Sequence, residues 1–323
     1  MITTEINKTP SEDENPIDPP KTTIPEASPQ SGAQPLAHQE TWVDPLEGSS
    51  LGVNRKHVQF DEVISIREML RTDPQRAEAL FQRGFEIYCE AFPDPSERES
   101  AESLRGYLDD PSTGFQMIVV TMNGAVVGGR NFGAKTAVLE NGEKFPIACG
   151  EHLYIPKALQ RLGFGTEIVK QTNAMARSYG ASLIISEQND PFLMTPEEKA
   201  LDASAGISPE DRLKFWKKQG YVAFDCPYAQ PSLDGGDPVY YLRLTAEILD
   251  RSKIPESANF DGKSINSDAV LGIMRAYHGG FVDDLDSDPT SVMLKEKLLS
   301  RKRIDLIDIE QERSFAQDRV DLR

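Results

Sequence analysis

The sequence predicts a mixed α/β (α+β) fold whose sheet is mostly antiparallel but holds one central parallel strand pair. Three observations predict it. The β-branched run Phe115–Met122 is followed by Asn123-Gly124 and a returning apolar run, the strongest short hairpin signal. The stretch from Ala148 to Ser186 reads as strand, glycine loop, helix and strand, and a unit of that length joins parallel neighbours by a right-handed crossover. The two ends of the chain differ in composition from its middle, which confines the sheet to about residues 58–246.

Residues 1–53 form a tail. Pro10, Pro16, Pro19, Pro20, Pro25, Pro29, Pro35 and Pro45 are interleaved with Ser, Thr, Glu and Gln, with no apolar period. Such a segment cannot bury enough surface to offset its chain entropy, so it is expected to be disordered. Trp42, Val43 and Leu46 read either as a short docking motif or as plain linker. From Val58 the pattern changes. Val63–Leu70 reads as a first strand, and Asp73-Pro74 opens a helix that carries Ala77, Leu80, Phe81, Phe85 and Tyr88 inward. A second helix runs from Ser96 or Glu97 to about Leu108. After the hairpin, Ala125–Gly129 is a strand that extends towards Ala134, and residues 135–144 are a loop or a longer hairpin.

The strand Phe145–Ile155 closes at Pro156, which cannot donate to a ladder. A loop holding Gln160, Gly163 and Gly165 follows, and a helix opens at Thr166, a good cap residue. Ile168, Val169, Thr172, Met175, Ala176 and Tyr179 line one side of it. Gly180 ends it, and Ala181–Ser186 is the buried parallel partner. Residues 187–207 are a polar loop with room for a short helix. Ser208-Pro209-Glu210-Asp211 caps the next helix, Tyr221–Cys226 is a strand, and Val239–Thr245 is the last strand. Residues 247–323 form an α-helical extension, with one helix on Ala269, Val270, Ile273, Met274 and Tyr277 and another on Val292, Leu294, Leu298 and Leu299. These helices either pack on the sheet or form a homodimer contact. The charged end is expected to be solvated.

Composition narrows the function. A net charge of −17 opposes binding to nucleic acid and permits a cationic acceptor such as an amine. Cys89, Cys149 and Cys226 match no zinc spacing and suggest a reducing, cytoplasmic setting. His38, His57, His152 and His278 are scattered, so no metal is expected, and His152 should face away from its neighbour Glu151 across the strand. No apolar run is long enough to span a membrane, and the first residues lack a secretory pattern.

The loop Gln160-x-x-Gly163-x-Gly165 presents backbone N–H groups at a helix N-terminus, a cradle for phosphate. The third glycine of a dinucleotide fingerprint is missing, as is the Gly-Lys-Ser/Thr of a nucleotide-triphosphate loop. Gln-x-x-Gly-x-Gly after a strand ending Glu-x-Leu-Tyr-Ile-Pro resembles the acetyl-coenzyme A loop of the GNAT superfamily of N-acetyltransferases. Trp216-Lys-Lys-Gln-Gly-Tyr221 resembles the Tyr-x-x-x-Gly-Phe element that closes those domains. Glu187–Pro191 and Pro227–Pro231 match the strings Glu-x-Asn-Asp-Pro and Pro-Tyr-x-Gln-Pro of one subgroup. The resemblance covers a little over half of the chain.

It implies a splayed parallel pair and transfer of an acetyl group from acetyl-CoA, as co-substrate, to an amine. The backbone of Arg161, Leu162, Gly163, Phe164, Gly165 and Thr166 would hold the pyrophosphate. Lys157, Arg161 and Lys170 are outer charges or ordinary surface residues. Asn189 either bonds the pantetheine arm or makes an Asx turn before Pro191. Amides of Leu153, Tyr154 and Ile155 would face the thioester carbonyl. Glu151 is the first candidate base and Glu187 the second. An acid inside an apolar strand is costly unless it has a purpose, although a strand-edge carboxylate in water is the plain alternative. The family's tyrosine four residues before the closing glycine is Trp216 here, and an indole cannot protonate sulfur. Tyr228 is the replacement candidate, or else packs its turn. A thiol's pKa of about 8.5 lets the thiolate leave without help. A catalytically idle acetyl-CoA-binding module is the competing reading.

Overall fold

The computed structural model describes residues 58–93, 98–204, 206–231, 237–279 and 285–314. The expected tail, and the Ser96 or Glu97 start of the second helix, lie outside them. The chain opens with β1 (Glu62–Ser65). The expected strand Val63–Leu70 is cut short at Ser65, whose hydroxyl accepts from the Glu68 N–H and starts α1 (Ile66–Thr72). Asp73 caps α2 (Pro74–Ala91) as the spacing predicts, and Ser100 caps α3 (Ala101–Asp109). Next come β2 (Phe115–Met122) and β3 (Ala125–Val138), joined by Asn123 at φ 52° and Gly124 at φ 78°. Two left-handed residues match the twist of a tight hairpin. β3 outruns its expected end because β4 (Lys144–Tyr154) pairs along it as far as Val138↔Lys144, leaving only a short turn between them.

The remaining elements are α4 (Phe164–Ser178), β5 (Leu183–Asn189), α5 (Pro196–Ala203), α6 (Pro209–Lys218), β6 (Val222–Phe224), β7 (Leu242–Ile248), β8 (Ser264–Asn266), α7 (Ser267–His278), α8 (Pro289–Leu299) and β9 (Arg303–Asp308). The strands form one sheet in the order β1-β2-β3-β4-β5-β7-β6-β9-β8, antiparallel throughout except for β4 and β5. The expected fold class therefore holds. The extension carries both expected helices and also β8 and β9, with Phe224 opposite Leu306. Ile304 and Leu306 alternate with Arg303 and Asp305, a short strand pattern inside a charged run.

Helices cover both faces. On one, α4 and α6 bury Val169, Ala176, Leu213 and Trp216 against Ile118, Phe132, Ala148 and Ile184. On the other, α2 and α3 cover Met117, Val119 and Tyr154, while α7 and α8 cover Cys149, Ile185 and Leu244. Met117 and Cys149 share that face, because Met117 pairs with Asn131 and Cys149 with Gly133, two residues along β3. Of the two roles open to the extension helices, α7 takes packing on the sheet. No helix among the described residues is long and apolar enough to cross a membrane.

Three buried arginines hold the middle of the sheet and the end of β5. The β4–β5 ladder holds only Ile147↔Leu183, Ala148↔Ile184 and Cys149↔Ile185. Beyond it the strands separate, and Arg130 of β3 fills the gap on the α4 face. Its Nη1 donates to Asn173 Oδ1 at 2.8 Å and its Nη2 to the Tyr221 hydroxyl at 2.9 Å. Past the end of β5, Asp190 takes Arg243 Nη2 at 2.7 Å and Arg313 Nε at 2.9 Å. The charged end was expected in water, yet Arg313 is buried, because Asp190 and the carbonyls of Cys226 and Leu242 satisfy its guanidinium.

Gly150 makes room for Arg130. A Cβ there would overlap Arg130 Nη2 and lie 2.5 Å from Ser186 Oγ. Gly150→Ala should lower stability by about 1–3 kcal/mol, the usual cost of overpacking. Urea unfolding measures it; a neutral result would mean that Arg130 yields freely.

Candidate functional site

A bulge in β4 sets the geometry of the site. Arg130 pairs with Leu153 and Phe132 with Gly150, so the single residue Asn131 stands opposite both Glu151 and His152. An extra residue on one strand turns two successive side chains to the same face. The simple alternation that sent His152 away from Glu151 is therefore corrected. Donor atoms of Glu99, Glu151 and His152 all lie within 4.8 Å of one another, where the sequence promised no such group. Glu99 comes from the segment before α3, too far along the chain for spacing to reveal it.

Aromatic residues hold this cluster. The Tyr88 hydroxyl donates to Glu99 Oε2 at 2.6 Å and lies 3.3 Å from His152 Nδ1. The rings of Phe92 and Tyr88 meet the imidazole at 4.7 and 5.0 Å. Gly133 forms the floor, where a Cβ would stand 3.5 Å from Glu151 Oε1. Burial pushes the Glu151 carboxyl up to about 8, and the charge of Glu99 adds to this while Lys135 opposes it. The three groups have the number and spacing to receive a cation, whether an ammonium or a divalent metal.

Glu187 lies on the same sheet face, two residues beyond Ile185 on β5. Burial pushes it up to about 7, against the pull of a hydrogen bond donated by the Tyr228 hydroxyl. Tyr228 is fully buried, and its oxygen lies 2.8 Å from His278 Nε2. Its proton is thus committed to a carboxylate, which bears on its candidacy as the acid for sulfur. Tyr277 of α7 donates to the Gly150 carbonyl at 3.5 Å, where β4 leaves β5. Burial raises its pKa, and the charges of Glu187 and Glu151 raise it further.

The glycine loop lies where β4 ends. Arg161 at φ 63° and Gly163 at φ 97° turn the chain sharply. The helix expected at Thr166 starts two residues earlier, at Phe164, because Gly163 takes the cap position in the left-handed region. No side chain caps it, so the amides of its first turn face outward without a side-chain partner. Phe164 is buried and Leu162 partly buried against Val127 and Ile168, which anchors the loop. Gly165 sits closest to Ile155, where a Cβ would stand 3.1 Å from the side chain, and within ordinary contact distance of Phe215 on α6. Thr166 Oγ1 accepts from Gln219 Nε2 at 3.4 Å.

The other expected residues are placed as follows. Leu153 and Tyr154 pair with Arg130 and Gly129, and the Tyr154 hydroxyl donates to the Ile118 carbonyl at 3.2 Å. Ile155 packs near Gly165. Asn189 Nδ2 donates to Asp202 Oδ1 at 3.0 Å, and the Asx turn before Pro191 and Phe192 belongs to Asp190. Lys170 pairs with Glu167 at 3.3 Å, and Arg161 Nη2 donates to the Gly206 carbonyl at 3.2 Å. Sequence reasoning missed Glu99, Arg130, Tyr277 and His278 as site residues. Arg130 alone left a signal, as a charge inside an apolar strand.

No family model matches the chain, and no curated protein does. Solved structures similar to it include a GNAT-family acetyltransferase from Bacteroides thetaiotaomicron, 19% identical over 59% of this chain and 86% of that one, with a TM-score of 0.38. Another is an aminoglycoside 6'-N-acetyltransferase complexed with coenzyme A, 16% identical over 58% and 97%, with a TM-score of 0.38. A third is a GNAT-family acetyltransferase from Staphylococcus aureus, 15% identical over 58% and 99%, with a TM-score of 0.34.

The Glu151 carboxyl links stability to pH. Its folded value of about 8 lies above the ordinary glutamate value, so the folded chain holds a proton that the unfolded chain releases. That contribution is complete below the ordinary value and is lost as pH rises through about 8. Glu151→Gln should therefore match wild type in Tm near pH 5 and exceed it near pH 9, as read by thermal unfolding at both. The reverse order would mean that the carboxyl is ionised well below neutrality.

Proposed function

We propose that the chain transfers an acetyl group from acetyl-CoA to an amine by direct attack in a ternary complex, with Glu151 as a general base acting through water. The observation that carries the reading is the β4 bulge. It turns Glu151 and His152 to one face of the sheet beside Glu99, on the strand whose end leads into the glycine loop and the start of α4, which no side chain caps. A carboxyl with a pKa of about 8 suits this task, since an alkyl ammonium has a pKa of about 10 and must lose its proton before it attacks.

The chemistry runs as follows. First-turn amides of α4 and the loop from Arg161 to Thr166 hold the pyrophosphate, with the dipole favouring its charge. The amine nitrogen loses a proton through water to Glu151 and attacks the thioester carbonyl. Amides of Leu153, Tyr154 and Ile155 donate to the oxygen as it gains charge. The intermediate collapses, the carbon–sulfur bond breaks, and the second proton of the attacking nitrogen passes to the departing thiolate, directly or through water, so that sulfur leaves as the thiol without a dedicated acid. The acidic chain suits a cationic acceptor.

The idle-module reading has one observation in its favour. Trp216, in the place of the family's tyrosine, is buried and stacks on Arg130 with the guanidinium carbon 5.3 Å from the ring centroid. Titration with acetyl-CoA, followed by free-thiol release across an amine library, separates the two. Amine-dependent thiol release supports the enzyme, and tight binding without it supports the module.

Two variants sharpen the test. Glu151→Gln should lower kcat by about 100- to 10,000-fold, the usual worth of a positioned base, while calorimetry finds the CoA affinity within about twofold of wild type. Gly163→Asp should weaken CoA binding by at least about tenfold, because it strains a left-handed residue and adds a negative charge beside the phosphates. Unchanged CoA affinity in Gly163→Asp would remove the loop from the site.

A further inference from the structure

The C-terminal extension reaches the carboxylate face through two successive residues of α7. Tyr277 meets the Gly150 carbonyl, and His278 meets Tyr228, which in turn meets Glu187. We propose that Tyr228 and His278 are positioning residues, a hydrogen-bond chain that favours the ionised form of Glu187 against its burial and aims it as a second anchor for the acceptor's ammonium. The acceptor part of this proposal rests on the acyl-transfer reading; the chain itself does not.

The direction of the chain follows from counting protons. Tyr228 has one hydroxyl proton and two partners, Glu187 Oε1 and His278 Nε2. An ionised carboxylate only accepts, so that proton goes to Glu187. The 2.8 Å contact with His278 then requires that Nε2 carry a proton and donate to the Tyr228 oxygen. Burial pushes His278 down to about 4, against the charge of Asp288 at the start of α8, so the ring is neutral near pH 7 and protonated on Nε2. The run His278 N–H to Tyr228 O–H to Glu187 thus stabilises charge at its end. Reversing it would require a protonated Glu187.

The surroundings give Glu187 no cation in direct contact among the described residues. The titratable groups that face it or Tyr228 are Tyr277, Cys149 and Cys226, and burial raises all three, so they stay neutral through the physiological range. Burial alone would neutralise Glu187, and the Tyr228 hydroxyl is the one group that opposes it. Tyr228 holds the Glu187 carboxylate, while three residues on, just past the end of β5, Asp190 is pinned by Arg243 and Arg313.

The test is an infrared titration of the full-length protein, following the carbonyl band of protonated carboxyls. Loss of one band in Glu187→Gln assigns it. Tyr228→Phe should move the midpoint of that band up by about 1 to 2 pH units, the worth of one hydrogen bond to a charged group. His278→Phe should move it the same way by less, and His278→Gln, which keeps an N–H donor, should stay within about half a unit of wild type. In an active enzyme the acidic limb of kcat/KM moves with the midpoint.

An unmoved or lowered midpoint in Tyr228→Phe overturns the proposal. So does a His278→Phe midpoint equal to wild type, or the lack of any Glu187 band titrating between about pH 5 and 9. Should Tyr228→Phe lose its near-ultraviolet dichroism, the His278→Phe and His278→Gln pair decides alone. A wild-type protein that releases no thiol with any amine ends the acyl-transfer reading, while these midpoints still judge the chain.

Discussion

The guanidinium of Arg130 is the wedge on which the middle of the structure depends. It is fully buried, and its hydrogen-bond partners are neutral: Asn173, Thr172, Tyr221 and Ser186. Its Nε has no hydrogen-bond partner. A buried charge held by dipoles is expensive and persists only where the surrounding geometry fixes it. Here it fills the apex between β4 and β5, so the strands part because something stands between them. The nearest balancing charge is Glu247, reached through Asn173. The wedge also gives Trp216 a physical role. An indole face over a guanidinium is a favourable electrostatic contact, and a phenol in that position would offer a weaker one. Trp216 is matched to an arginine that breaks the apolar run of β3.

The wedge divides labour between the two faces of the sheet. The α4 and α6 face carries the loop, the uncapped helix start and the cation. The opposite face carries Glu151, Glu187 and the tyrosines. Arg130 is thus on the other face from the carboxyls, and Lys135, the cation on their own face, only partly offsets the burial that raises Glu151. A lysine or arginine in direct contact would pull them down, as Arg105 does to Glu78 at the surface, where the carboxyl falls to about 2. The difference between about 8 and about 2 for one residue type comes wholly from neighbours and burial.

The local parts of this arrangement were legible in the sequence. Asn123-Gly124, Asp73-Pro74 and Ser208-Pro209 each carry their turn or cap within four residues, and each forms where the chemistry put it. The limits of β1 and α4 were misread because a cap outcompeted the apolar pattern, through the Ser65 hydroxyl in one case and the left-handed Gly163 in the other. The bulge was not legible. It depends on how Asn131 meets β4, and no period within β4 announces it. For the same reason Glu99 and His278 could not be assigned to the site, since each joins it across a long separation in sequence. β9 was hidden by its charges, which face outward while Ile304 is buried.

Two raised carboxyls on one face also show how binding and deprotonation would be coupled in the acyl-transfer reading. Glu151 is largely protonated near neutral pH, because burial and Glu99 both oppose its charge. An ammonium entering beside it supplies the missing counter-charge and drives that proton off, so cation binding and ionisation of the base are one event. In that reading Glu99 remains as the residual anchor once the base is ionised, its carboxylate accepting from the Tyr88 hydroxyl, whose oxygen in turn accepts from the Glu99 N–H. Under the proposed mechanism the acceptor would face a base created by its own arrival. A carboxylate that was always charged would bind the ammonium more tightly but would take its proton less readily, since its pKa would lie further below that of the amine. The raised pKa therefore exchanges some ground-state attraction for a smaller gap in proton transfer, and only interactions that grow towards the transition state speed the reaction.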